Sequence, residues 1–150
     1  MTIYFSRGGK DLALGMQDFL EAIATTLSQF PSVQKVLAVP PDHTRMDSQA
    51  GPIMHAVLKL LGDKLTDVMP ALGTHIAMNE EELTKMDGDF PRDLIRVHRF
   101  RTDVDTLGYV ESDFVSEVTE GHYDRPWPAQ VNQMCCILRH KFGSGVLICA

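Results

Sequence analysis

The run Val36-Leu37-Ala38-Val39 is apolar at every position and stops at Pro40-Pro41. A strand with one wet face alternates apolar and polar residues. A short run with no alternation is buried on both faces, as in a parallel sheet covered by helices. The flanking segments agree with that placement. From Asp11 to Phe30, Leu12, Met16, Phe19, Leu20, Ile23, Leu27 and Phe30 recur at helical spacing, and Pro31 lies just beyond. A second helix is expected over about Gln49 to Leu61, with Ile53, Val57, Leu60 and Leu61 on its inner side and Gly62 as its stop. Leu65 to Leu72 reads as the next strand, its end frayed at Pro70, which has no N–H to donate.

Alternating strands and helices imply parallel pairing with right-handed crossovers. The expected fold is therefore α/β: a Rossmann-like, open, mostly parallel sheet with helices on both faces. At 150 residues the length prior gives one domain with a sizeable core. Thr2 to Phe5 reads as a short strand or a cap. Asn79 followed by Glu82 is a capping-box-like helix start, and Asp87-Gly88-Asp89 with Pro91 ends that helix. Leu94 to His98 and Asp113 to Val118 read as strands. Pro128 to Leu138 reads as a helix entered through Pro126-Trp127-Pro128, and Gly145 to Cys149 as a final strand. Ending on Val146-Leu147-Ile148-Cys149 gives the expectation of an interrupted fold, although terminal strands are common.

Apolar content of 44% and charged content of 23% are ordinary globular values. A net charge of −6 argues against a nucleic-acid surface, which needs clustered Lys and Arg. Cys135, Cys136 and Cys149 form neither an even disulfide framework nor zinc spacing, and read as small apolar residues of a reducing cytoplasm. Met1 to Lys10 lacks the apolar core of a secretory signal, and no apolar run is long enough to span a bilayer.

Two loops follow the two best strands. The first is Pro41-Asp42-His43-Thr44-Arg45, the second Ala71-Leu72-Gly73-Thr74-His75. Open α/β sheets bind ligands beyond the carboxyl ends of their strands, so two such loops suggest one cleft. Arg45 suits bidentate recognition of a carboxylate or phosphate. Asp42 could orient a histidine or accept from a hydroxyl, and His75 can take and return a proton near neutral pH. Each also has a plainer reading: Asp42 and Thr44 as caps, Arg45 as a surface ion pair, His75 as a satisfied loop histidine.

The remaining candidates carry less. His55 lies within a helix, His98 reads as an outward strand residue, His122 as a loop residue, and His140 belongs to the basic run Arg139-His140-Lys141. Trp127 reads as a packing anchor. Arg7-Gly8-Gly9-Lys10 lacks phosphate-loop spacing, and Glu80-Glu81-Glu82 reads as a solvated helix start.

Taken together, Asp42-His43-Thr44-Arg45, Ala71-Leu72-Gly73-Thr74-His75 and Asn79-Glu80-Glu81-Glu82-Leu83 resemble the nickel-pincer lactate racemase family, as does the stretch Trp127 to Asn132. The likeness runs from about Val36 to Asn132. It implies an isomerase that racemises or epimerises 2-hydroxy acids, with a nickel-bearing pyridinium mononucleotide as hydride acceptor. On that resemblance His75 matches one of two acid/base histidines and Arg45 the arginine near the substrate carboxylate. Asp42 and Thr44 match loop neighbours that support the cofactor or its surroundings. The family's cofactor-bearing lysine, second histidine and nickel-binding histidine would follow the strand matched by Val146 to Cys149. The resemblance thus implies an N-terminal, substrate-side portion that is inactive without a C-terminal portion and carries no metal ligands of its own. The competing readings are a non-catalytic small-anion-binding α/β module and a metal-dependent hydrolase using Asp42, His43 and His75. Membrane and nucleic-acid partners are expected for none of them.

Overall fold

The computed structural model describes residues 3–133 and 146–149. They form a mixed α/β arrangement whose contacts gather into two compact units, Met1–His98 with Ser144–Ala150, and Arg99–Gly143. In the first unit α1 spans Met16–Ser28, β1 Val36–Val39, α2 Ala50–Leu61, β2 Leu65–Val68 and α3 Glu80–Asp87; β5, Val146–Cys149, returns to it. The order across the sheet is β2-β1-β5, and both pairings are parallel. Val36 and Leu37 are fully buried at its centre, as a run without alternation requires. Val33, Met54, Val57, Leu65, Val68 and Phe90 pack with Val36 and Ala38 into the core, and Ile23, Phe30 and Ile53 close over it.

Local chemistry sets the helix limits. α1 begins later than its apolar period suggests, because the Asp18 carboxylate accepts from Gly15 N–H at 2.8 Å and caps the helix there. Leu12 and Leu14, ahead of that cap, are exposed. α2 ends at Gly62, whose φ of 53° lies in the region open to glycine. α3 carries the full capping box: Asn79 Oδ1 accepts from Glu82 N–H, and Glu82 Oε2 accepts from Asn79 N–H. β2 is shorter than expected and stops at Val68.

The expected strand at Leu94 to His98 shrinks to a single parallel bridge, Ile95 with Val68, after a 3-10 turn at Arg92–Leu94. Tyr4 and Phe5 form no strand; Thr2 lies outside the described residues. The second unit corrects two further expectations. Asp113 to Val118 is helical, within α4 (Ser112–Val118), and its spacing of Phe114, Val115 and Val118 fits a helix better than a strand. Trp127–Asn132 is a strand, β4, and not the start of a helix; it pairs antiparallel with β3, Val104–Val110, which the sequence reading missed. Gln133, next in the expected helix, is helical, and residues 134–138 lie outside the described residues.

The α2–α3 contact has no room to spare. A Cβ built on Gly51 would lie 1.9 Å from the Met86 carbonyl oxygen. Gly51→Ala should therefore destabilise the protein by about 1–3 kcal/mol, the usual range for overpacking, seen as a lower midpoint in thermal unfolding. Asp87 ends α3 beside this contact and is only 7% exposed. Burial pushes its carboxyl above the ordinary value of 3.8, and the charges of Arg92 and His55 pull it only partly back. An acid whose pKa is raised by folding is stabilising below the unfolded value and loses that contribution as pH rises through the folded one. Asp87→Asn should therefore melt at or above wild type at pH 7, the advantage closing as pH falls toward 3.8, as thermal melts across that range would show.

Candidate functional site

The parallel pairing of β1 and β2 continues past both strands. Met69 N–H donates to Ala38 O at 2.9 Å, Ala71 N–H donates to Pro40 O at 2.7 Å, and Pro41 bridges Ala71. The two loops thus leave the same end of the sheet side by side. Asp42, immediately after the bridge, is the N-cap of a 3-10 turn over His43–Ser48, with its backbone extended at φ −84°. Its Oδ1 accepts from both the amide and the hydroxyl of Thr44. Its Oδ2 lies 2.6 Å from His75 Nδ1.

This pair crosses from one loop to the other and from interior to solvent. Asp42 is 3% exposed, whereas the His75 side chain is 55% exposed. His75 sits in a turn closed by its own N–H to Leu72 O at 2.9 Å, after Gly73 at φ +58°. Burial pushes the Asp42 carboxyl up, but the hydrogen bonds from the Thr44 hydroxyl, His75 and the Thr44 amide, with the charge on His75, together hold it below 3.8. A buried, ionised carboxylate on Nδ1 fixes the imidazole's orientation and directs Nε2 outward, where it can exchange a proton.

Arg45 lies on the same turn, its N–H donating to Asp42 O at 3.0 Å, and is exposed. No described residue hydrogen-bonds or ion-pairs with its guanidinium. The structure thus brings Asp42, Thr44 and His75 into one hydrogen-bonded cluster, with Arg45 on the turn that Asp42 caps. Both Asp42 oxygens are taken by the chain's own donors, which favours the orienting role among the two the sequence allowed.

The other candidates serve the scaffold. Arg7 pairs with Asp18 at 2.8 Å and Glu21 at 3.4 Å, His55 Nε2 meets Asp87 O at 2.8 Å, and Trp127 meets Tyr123 edge-on. His122 lies in an exposed turn, and His140 is outside the described residues. A cleft of about 230 Å³ opens between Leu72, Met78, Leu83, Arg92 and Ile95; Asp42, Arg45 and His75 do not line it. Among the described residues no three His, Cys, Asp or Glu side chains gather as a metal site.

Glu82 was read as one of three solvated glutamates, yet its Oε1 also lies 3.4 Å from His43 Nε2. Only its place in the capping box was visible in the sequence. Asp42→Asn should remove the charge behind His75 and cost about 1 kcal/mol, as for other charge-assisted caps. Because folding lowers the Asp42 pKa, its contribution is full above 3.8 and is lost as pH falls through the folded value. The gap between wild type and variant in thermal melts should accordingly be widest near neutral pH and close in acid.

No protein-family description matches this chain, and no curated protein does. Among solved structures it is similar to a Thermotoga maritima protein determined by crystallography as a structural-genomics target, with 28% identity, a TM-score of 0.69 and 81% of this chain covered. The chain spans 30% of that protein's length, so the likeness is to a part of it.

Proposed function

We propose that the chain provides the substrate side of a 2-hydroxy-acid racemase or epimerase, on a Rossmann-like scaffold with helices on both faces and in a cytoplasmic setting. The observation that carries the reading is the Asp42–His75 hydrogen bond at the carboxyl ends of two parallel strands, with Arg45 on the turn that Asp42 caps. Arg45 would hold the carboxylate of a small 2-hydroxy acid such as lactate. His75 Nε2 would take the proton of the 2-hydroxyl, and Asp42 would stabilise the imidazolium so formed. Thr44 keeps Asp42 in place; a direct contact from Asp42 or Thr44 to a cofactor is the weaker assignment.

One imidazole serves one face of a planar keto intermediate, so the second proton transfer and the hydride acceptor must come from elsewhere. The isolated chain should bind L- and D-lactate weakly without interconverting them. Arg45→Ala should weaken binding by about 10- to 100-fold, the worth of a charge-assisted contact. Calorimetry and chiral analysis of the lactate measure both quantities. An Arg45→Ala variant that titrates like wild type, or racemisation by the purified chain alone, would sink the proposal.

A second reading is favoured by the unpaired guanidinium of Arg45 among the described residues: a non-catalytic module for small anions. It predicts binding of phosphate as readily as lactate and no effect of His75→Ala on either.

A further inference from the structure

Adjacent residues of the first loop grip the second at separate points. Asp42 holds His75. One residue on, His43 N–H donates to Met78 Sδ at 3.3 Å, and His43 Nε2 lies 3.4 Å from Glu82 Oε1. The other Glu82 oxygen accepts from Asn79 N–H at 2.9 Å, so one side chain ties the start of α3 both to itself and to the first loop. Among the described residues His43 Nδ1 is buried without a hydrogen-bond partner. Among the described residues the ring's polar contact therefore runs through Nε2, 3.4 Å from Glu82 Oε1.

Between these grips the second loop has little apolar anchorage. Gly73, Thr74, His75, Ile76 and Ala77 are all exposed, Ile76 at 88%. Such a segment has few buried contacts to resist local opening, so polar ties decide its geometry. We infer that His43 and Glu82 are positioning residues: through them the first turn of α3 holds the second loop in register with the first and sets the aim of the His75 ring. The inference rests on the proposed role of His75, but its test needs no turnover.

Glu82→Gln separates this role from simple capping. Glutamine keeps an oxygen for Asn79 N–H, preserving the cap, while an uncharged amide nitrogen would replace the carboxylate oxygen that faces His43 Nε2. Met78→Leu, nearly volume-conserving, removes the sulfur acceptor. The experiment is long-range proton–nitrogen NMR of the full chain with labelled histidines, beside a thermal melt. In both variants we expect a near-wild-type melt, shifted His75 ring nitrogens, and roughly tenfold faster exchange of the His75 Nδ1 proton with water, the effect of losing one hydrogen bond. Unchanged His75 resonances and exchange in folded Glu82→Gln and Met78→Leu would overturn the inference, whatever lactate binding shows. If Glu82→Gln does not fold, Met78→Leu decides by the same readout.

Discussion

Two backbone hydrogen bonds, Met69 N–H to Ala38 O and Ala71 N–H to Pro40 O, carry the β1–β2 pairing beyond the strands themselves. Parallel strands leave a sheet at the same end, so this continuation delivers both loops to one place already in register. Pro40, Pro41 and Pro70 lack an N–H, and the pairing here uses carbonyls as acceptors before the ladder ends. Asp42 follows the last bridge directly, so its position is inherited from the sheet. A shift of the pairing would separate it from His75.

A buried carboxylate is costly unless its lone pairs are occupied. Asp42 meets that demand with two donors from Thr44, inside its own turn, and one from the imidazole across the gap. The local donors make the ionised form tolerable; the distant one makes it useful. The same division recurs at Glu82, where one oxygen serves the helix cap and the other faces His43. In both residues, local structure and the contact between loops share one side chain. Substitutions that preserve the first contact are therefore the informative probes of the second.

Sequence patterns proved most reliable where short-range chemistry decides the outcome. Apolar Val36 to Val39, Gly62 after α2 and the Asn79/Glu82 box each act within a few residues, and each is found where the pattern puts it. Trp127 to Asn132 shows the opposite case. Its residues suit a helix as well as a strand, and the partner that selects the strand is β3, whose paired residues lie 17 to 28 positions earlier. Ile95 makes a similar point: the stretch became one bridge to Val68, with Arg96 N–H donating to Val68 O and its side chain to Asp67, before the chain leaves β2.

From residue types and spacing alone came a parallel sheet at Val36 to Val39, two loops at strand ends, an arginine suited to anions and a histidine able to exchange protons. Tertiary structure alone decided which carboxylate stands behind that histidine, since Asp42 and His75 lie 33 positions apart and meet through the register of β1 and β2. It also decided that Glu82, still partly exposed, meets His43. A hydrogen bond between distant residues depends on angles and distances that backbone pairing sets, and no local preference encodes those.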